Sequence, residues 1–232
     1  MDNVRIYHFA ATQHSPARFP PQSTATAHLP NPNDYVWFMR ALLVAMDRWI
    51  TGDAPPPASR YATLETGTLV TVDKLAFPEI PGVYLLNEVS TAYALDYGSK
   101  LAADGIITQE PPTAGAPYPF LVPQVDGSGN EIDGLRSPEV AVPLATHTGW
   151  LPTNPVSGVG LYIPFARDRA EREANDDPRQ SIDERYESRA QYLDLVAQAA
   201  MDLIDDGYLL DDDLPRILEQ AGTRWDYLLA TH

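Results

Sequence analysis

The sequence predicts an α/β protein, because a strand pattern near its start is followed by an amphipathic helix and its last third has helical spacing throughout. Residues 4–10 alternate between apolar and polar side chains and include β-branched and aromatic types, which is typical of a strand. Between the helical stretches, Pro and Gly are frequent. With 22 prolines and 14 glycines in 232 residues, the chain must contain many turns.

The predicted first strand has no obvious neighbour in the sequence. Its backbone donors and acceptors are therefore expected to be unpaired, and an exposed strand edge recruits other strands. A Pro-rich loop runs from its end to about Asn33.

The first helix is predicted to begin at the capping residues Asn33 and Asp34 and to end at Thr51, where Gly52 and three prolines follow. Its apolar residues recur at spacings of four and three, so they form one stripe that is expected to face the protein interior. The stripe consists of Tyr35, Met39, Leu42, Met46 and Trp49.

The middle of the chain, from 58 to about 115, gives weak signals. Residues 68–72 suggest a short strand, and residues 92–103 suggest a turn or two of helix. Asp126–Asn130 is predicted to be a hairpin turn. A calcium loop starting at Asp126 would need glycine where Glu131 stands, so no metal is predicted.

The last third is predicted to be two antiparallel helices. Ser181 and Glu184 match a capping box, Gly207 ends the first helix, and Asp211–Asp213 place negative charge at the start of the second. The predicted buried residues are Ile182, Tyr186, Leu193, Val196, Ala200 and Leu203 in the first helix, and Leu214, Ile217, Leu218, Ala221, Trp225 and Leu228 in the second.

Charge and composition exclude several classes of function. A net charge of −16 disfavours binding to nucleic acid or to anionic membranes. The absence of cysteine removes disulfides, thiol nucleophiles and thiolate metal sites, and no cofactor is predicted. No apolar run approaches the ~20 residues of a membrane span, and residues 1–5 show no signal-peptide pattern. A cytoplasmic location is therefore the default expectation.

Three motifs resemble a bacterial group of α/β-hydrolase domain-containing proteins. The first is the Ala10–His14 turn, which matches an Ala-Gly-Thr-x-His turn at the end of a strand. The second is Gly129–Val140, and the third is Val142–Trp150. Each motif alone is weak, but their order and spacing support the resemblance. Ala11 departs from the group's pattern, which has glycine there, and puts the geometry of the turn in doubt.

The resemblance implies that the chain is the C-terminal part of an α/β-hydrolase fold, its last strand and helix followed by a loop-rich segment and a helical hairpin. Residues 1–57 would be the end of the catalytic domain, 58–165 the loop-rich segment and 166–232 the helical tail. On spacing alone His14 is a surface histidine. The resemblance makes it the catalytic histidine, because imidazole exchanges protons near neutral pH.

The order of the triad in such enzymes is Ser, then Asp or Glu, then His. No serine and only one acid, Asp2, precede His14, and no Gly-x-Ser-x-Gly occurs in the 232 residues. The nucleophile and the acid are therefore expected on a missing N-terminal hydrolase segment, either in the same chain or in a separate one. The complete enzyme is expected to act on small carboxylic esters or related acyl compounds. Two alternatives remain: a catalytically silent binding or assembly subunit, and a stand-alone α+β domain whose resemblance is accidental.

Structural roles are expected for three of the other histidines. His8 and His28 are expected to be strand and loop side chains rather than metal ligands. His147, in the third motif, is expected to pack in the interior; the alternative is that it faces the mouth of the active site.

Overall fold

A computed structural model describes residues 3–22, 28–52, 54–85, 91–151 and 158–230 of the chain. These residues form helices and short strands joined by many turns. The strands are Leu29–Pro30 (β1), Leu69–Thr71 (β2), Tyr93–Asp96 (β3), Thr113–Pro117 (β4), Leu121–Pro123 (β5), Ala145–His147 (β6) and Leu161–Pro164 (β7). The helices are Val36–Thr51 (α1), Leu101–Asp104 (α2), Pro138–Ala141 (α3), Arg169–Ala174 (α4), Ile182–Arg185 (α5), Arg189–Asp205 (α6) and Leu214–Leu229 (α7).

The strands form three small antiparallel sheets. β7 lies between β1 and β6, β2 pairs with β5, and β3 pairs with β4. The strand predicted at 68–72 is confirmed as β2. Residues 92–103 form β3 and the single helical turn α2 instead of helix alone, because pairing with β4 overrides the local helix preference of Ala and Leu.

The segment predicted as the first strand is extended but makes only two isolated parallel bridges, Tyr7 with Arg60 and Phe9 with Leu135. The His8 amide donates to the Arg60 carbonyl at 2.9 Å, and the His8 carbonyl accepts from the Leu135 amide at 2.7 Å. Both partners bond the same edge of the segment, through its even-numbered residues. The prediction that its backbone is unpaired was wrong for this edge, because two distant loops that carry no strand pattern supply the partners.

Helix α1 buries only part of the predicted stripe: Tyr35 packs against the core and Trp49 is half-buried. Phe38 and Ala41 are 1% and 3% exposed, and Leu42 packs against the same core as predicted. Met39 and Met46, which were predicted to point inward, are 54% and 49% exposed. The helix is apolar on two sides, so spacings of three and four residues fit more than one stripe.

The capping box at Ser181 and Glu184 is confirmed, with the Ser181 amide donating to Glu184 Oε2 at 3.0 Å. The helix that it begins is only one turn long. Ser188 then caps α6 by accepting a hydrogen bond from the Gln191 amide, so the single helix predicted here is two helices. A serine that bonds the backbone ahead of it favours a new helix start over helix continuation.

Helices α6 and α7 pack against each other and contribute about half of the core. The apolar face predicted for α7 lies in this core, with Ile217 and Ala221 buried. The core also includes Phe38, Leu135 and Tyr192, so it draws on residues from all three predicted segments. A smaller cluster holds Ile80, Leu151, Leu161 and Ile163.

Asp126–Asn130 forms the predicted hairpin turn. Asp126 Oδ1 accepts hydrogen bonds from the amides of Ser128 and Asn130 at 2.8 and 3.1 Å. A single antiparallel bridge between Val125 and Glu131 closes the turn.

Candidate functional site

The first motif turns sharply at Ala11. Ala10 is fully buried, and its amide donates to the Leu135 carbonyl at 3.0 Å. Ala11 then adopts a left-handed conformation with φ of 54°, and its amide donates to Glu131 Oε2 at 2.8 Å. Glycine would adopt this φ without strain, so the departure noted in the sequence falls on the residue that needs positive φ.

His14 lies beyond this turn, and its backbone is held on both sides. Its amide donates to the Gly158 carbonyl at 3.0 Å, and its carbonyl accepts from the Tyr35 hydroxyl at 2.7 Å. Gln13 Oε1 accepts from the Gly160 amide at 3.0 Å. The side chain of His14 is exposed. The main chain is therefore fixed while the imidazole is open to an incoming group.

The His14 ring has no acidic partner within the part of the chain that the structure describes. Ion pairs of histidine occur there only at His8 and His147. Asp2, the one acid before His14 in the sequence, lies outside the described residues. The described residues thus supply an accessible imidazole without the carboxylate that would orient it.

The third motif lies against the His14 turn. A Cβ on Gly149 would come within 2.5 Å of the Thr12 carbonyl oxygen, so the close approach of the two backbones requires glycine. Asn31 joins the same two segments, because its Nδ2 donates to the carbonyls of Ala11 and Thr148, both at 2.9 Å.

The second motif completes the cluster. Asn130 Oδ1 accepts from the His147 amide at 2.8 Å, and Asn130 Nδ2 donates to the Ala145 carbonyl at 3.0 Å. Leu135 bridges to Phe9 on the strand-like segment. The first motif therefore lies against the second and third motifs, which follow it by more than 100 residues in the sequence.

A family model described as an alpha/beta hydrolase domain matches residues 1–219. The chain belongs to this family. No curated protein and no solved structure matches it.

A buried polar network lies beneath the three motifs of this α/β-hydrolase chain. His147 is 2% exposed, and its Nδ1 lies 2.9 Å from Asn31 Oδ1. Because that oxygen is an acceptor, Nδ1 carries the proton and Nε2 is left as an acceptor. Nε2 lies 3.5 Å from Glu139 Oε1, and Glu139 Oε2 lies 2.7 Å from the guanidinium of Arg224.

Burial shifts the titration of this network. Desolvation raises the pKa of Glu139 to about 7, although the nearby Arg224 opposes the rise. Desolvation and the positive charge of Arg224 lower the pKa of His147 to about 3. His147 is therefore neutral at physiological pH. It packs in the interior, as expected, and its Nδ1 donates to the loop at Asn31, while Glu139 connects α3 to Arg224 on α7.

His8 and His28 are occupied by other contacts. His8 Nε2 lies 3.2 Å from Glu131 Oε2, and a hydrogen bond to Glu131 raises the pKa of His8. His28 Nε2 lies 3.0 Å from the Gly82 carbonyl oxygen.

The sequence interpretation missed three members of the buried network. The sequence around Asn31 indicates only a polar loop and gives no sign that this side chain is buried. Glu139 lies within the second motif, and a carboxylate among buried apolar residues could have marked it. Arg224 is seven residues after Ile217, on the buried face of α7, so helical spacing could have found it.

Neither metal sites nor membrane spans are found in the described part of this α/β-hydrolase chain. No group of three or more His, Asp or Glu side chains in those residues could hold a metal ion. No helix among them is long and apolar enough to cross a membrane.

Proposed function

We propose that this chain is the C-terminal part of a serine hydrolase and that His14 supplies its general base. The observation that carries the proposal is the anchored turn, which fixes the His14 backbone and leaves the ring exposed, in a chain of the α/β-hydrolase family. A general base needs a fixed position and an accessible nitrogen. His14 has both.

The reaction that this imidazole would perform is acyl transfer. The ring takes the proton from a serine hydroxyl as the serine oxygen attacks the carbonyl carbon of an ester. The protonated ring then returns that proton to the departing alcohol, which leaves an acyl-serine for water to hydrolyse with the same base. A small carboxylic ester or a related acyl compound is the proposed substrate.

The serine and the orienting acid would come from a segment outside these 232 residues, joined in cis or bound in trans. Two observations support this part of the proposal. No Gly-x-Ser-x-Gly occurs in the sequence, and no described carboxylate pairs with the His14 ring. A triad imidazole needs a partner that holds its tautomer and orientation.

The test begins with the DNA next to this reading frame. A preceding or neighbouring segment that encodes Gly-x-Ser-x-Gly is expressed together with the chain, and ester hydrolysis is measured for the parent, His14→Ala and His28→Ala. Loss of the base is expected to lower kcat by ~10³-fold or more, whereas the His28 variant keeps parental turnover. Turnover within a few-fold of the parent in His14→Ala would show that His14 is only a loop residue.

A second candidate is a catalytically silent binding or assembly subunit. The exposed His14 ring without a described acidic partner favours it, because such a ring needs no reaction to explain it. The two candidates differ in their neighbours. Neighbouring DNA that encodes no Gly-x-Ser-x-Gly segment would support the silent subunit. If such a segment exists, a co-expressed product that a fluorophosphonate does not label would support it as well.

A further inference from the structure

The segment predicted as the first strand has one paired edge. The Arg60 amide donates to the Ile6 carbonyl, and the Arg60 carbonyl accepts from the His8 amide. Leu135 bonds the His8 carbonyl and the Ala10 amide in the same way. In an extended chain the backbone groups of alternate residues point to the same side. Both loops therefore lie along one edge, the edge of the even-numbered residues.

The opposite edge of the segment belongs to its odd-numbered residues. The amide and carbonyl of Tyr7 and the amide of Phe9 make no hydrogen bond to any other described residue. The Phe9 carbonyl accepts from the Thr12 hydroxyl at 2.7 Å, so the unpaired stretch ends there. Unpaired N–H and C=O groups along a strand are a template for a further strand. These groups of Tyr7 and Phe9 are here called the open edge.

Helix α1 covers one face of this segment and runs antiparallel to it. Near the start of the helix, the Phe9 ring centroid lies 5.3 and 5.4 Å from those of Tyr35 and Phe38. Near its end, the Arg5 guanidinium lies 5.4 Å from the centre of the Trp49 ring. The odd-numbered side chains therefore face α1. A strand and an antiparallel helix packed in this way are two layers of an α/β fold.

The two flanks of α1 differ in what lies beside them. On one flank, Ala41 and Arg48 line a cavity together with Asp206 of the α6–α7 connection. Asp206 pairs with Arg60 at 2.9 Å, so this flank lies on the side of the paired edge. The other flank of the helix is therefore on the side of the open edge.

The flank beside the open edge carries a row of large apolar side chains that are 38 to 77% exposed. The row consists of Val36, Met39, Leu43, Met46 and Ile50. With the buried face on its other side, it leaves α1 apolar around most of its circumference, and the only charged residues of the helix are Arg40, Asp47 and Arg48. Such a helix is typical of the interior of a larger protein body. The exposed row therefore indicates that further structure packs beside the segment.

The other face of the segment is also apolar next to the open edge. Val4 and Ile6 point away from α1, because side chains alternate along an extended chain. They are 42 and 51% exposed. Strands that are covered on both faces carry apolar side chains on both. Apolar surface thus borders the open edge on each face, and the element that fits there is a strand with apolar side chains on both of its faces.

We propose that the open edge pairs with a strand of the hydrolase segment that carries Gly-x-Ser-x-Gly, and that the exposed row of α1 covers one face of that strand. This inference rests on the proposed function. The segment must bring its serine to the His14 ring, and His14 lies just past the end of the open edge. A second copy of this chain contains no Gly-x-Ser-x-Gly, so it would occupy the edge beside His14 without completing a triad.

The added strand runs parallel to the segment. The serine of Gly-x-Ser-x-Gly sits on a turn from a strand to a helix, at the carboxyl end of that strand. His14 follows the carboxyl end of its own segment. Reactive groups in an open α/β sheet meet at the carboxyl ends of its strands, so the two strands must have the same direction. The existing bridges of Tyr7 and Phe9 are parallel as well.

Hydrogen exchange of single amides, followed by NMR, tests the pairing directly. In the isolated chain the amides of Tyr7 and Phe9 should exchange at least about tenfold faster than those of His8 and Ala10. In the chain co-expressed with the Gly-x-Ser-x-Gly segment, the two groups of amides should be protected alike. Tyr7 and Phe9 amides that gain no protection would overturn the pairing.

Two variants test the apolar surface on each face of the open edge. Ile6→Glu and Leu43→Glu should each lower the amount of segment that co-purifies with the tagged chain about tenfold or more, because each would bury an unpaired charge. Ile107→Glu and Leu64→Glu are matched controls and should retain the parental amount. Ile6 and Ile107 are both 51% exposed, and Leu43 and Leu64 are 71 and 67% exposed. All four variants should melt like the parent, since each site is exposed in the isolated chain.

The same material separates this inference from the role of His14. Loss of ester turnover in His14→Ala, with parental capture of the segment by Ile6→Glu and Leu43→Glu, would overturn the docking and leave the general base intact. Parental turnover in His14→Ala, with capture lost in the two glutamate variants, would support the docking and overturn the general base. Protection of Tyr7 and Phe9 that rises with the concentration of the isolated chain would assign the open edge to a second copy and overturn the inference.

Discussion

His14 and His147 show two opposite ways of holding an imidazole. The backbone of His14 is anchored by Gly158 and Tyr35, while its ring is exposed. The ring of His147 is buried, and its nitrogens face Asn31 and Glu139. An imidazole that exchanges protons with a substrate must be reachable, whereas a buried neutral imidazole acts as a cross-link. Under the proposed function His14 performs the chemistry, whereas the contacts of His147 stabilise the fold.

The two regions are connected through one side chain. Asn31 Oδ1 faces His147 Nδ1, and Asn31 Nδ2 donates to the carbonyl of Ala11, three residues before His14. The buried network is therefore hydrogen-bonded, through Asn31, to the backbone of the turn that precedes His14. We expect damage to the network to reduce the free energy of unfolding, and damage at the His14 ring to leave that free energy unchanged.

The largest expected effect follows from Arg224→Met. This change leaves Glu139 buried, at 11% side-chain exposure, without the cation that contacts it at 2.7 Å. Removing one partner of a buried pair costs up to roughly 3–5 kcal/mol when the remaining charge stays uncompensated. The loss is smaller to the extent that Glu139, whose pKa burial already raises to about 7, takes up a proton. Urea denaturation followed by circular dichroism measures the loss.

Arg189→Met is the matched control for that variant. Arg189 pairs with Asp226 on an exposed surface, where solvent screens the interaction, so its loss should change the midpoint of unfolding far less. Equal midpoints for the two variants would mean that the buried network does not stabilise the fold. They would contradict the structural role assigned to His147 and its neighbours.

The second effect is a pH dependence in which two groups oppose each other. The pKa of Glu139 is raised from 4.5 to about 7, so its contribution to stability is full below pH 4.5 and falls as the pH rises to 7. The pKa of His147 is lowered from 6.5 to about 3, so its contribution rises with pH over that interval. Between pH 4.5 and 6.5 the two slopes should nearly cancel.

Single variants separate the two slopes. In Glu139→Gln only the histidine titrates, and the free energy of unfolding should rise with pH by up to about 1.4 kcal/mol per pH unit relative to the parent. In His147→Asn, whose amide can still donate to Asn31, only Glu139 titrates, and the free energy of unfolding should fall with pH by a similar amount. Parallel curves for the parent and both variants between pH 4.5 and 6.5 would contradict the assigned shifts.

The sequence predicted the helical parts of this fold better than the extended parts. The face of α7 was predicted correctly because its packing partner, α6, is close in the chain. The segment around Tyr7 was predicted as a strand, yet its partners Arg60 and Leu135 lie in loops without any strand pattern. Local periodicity carries no information about such distant pairing. Helix α1 shows a related limit, since two apolar faces fit the same spacing.

The candidate site was only partly visible in the sequence. The motif that ends at His14 was recognisable, and so was the importance of position 11. The network could not be predicted, because Asn31, Glu139 and Arg224 come together only through the tertiary fold. Single polar residues in loops and helices resemble surface residues until burial identifies them.

The smallest expected effect concerns strain at the turn. Ala10 and Ala11 are equally buried, at 0 and 1% exposure, but only Ala11 has a left-handed φ. Changing either residue to glycine removes one buried methyl group and adds chain entropy to the unfolded state. At position 11 alone, glycine also relieves the left-handed conformation, which costs an L-residue about 1–2 kcal/mol. Ala11→Gly should therefore be less destabilising than Ala10→Gly by about that amount, as measured by urea denaturation of the two variants side by side. Equal losses would mean that the turn before His14 is unstrained, and that alanine is as suitable there as glycine.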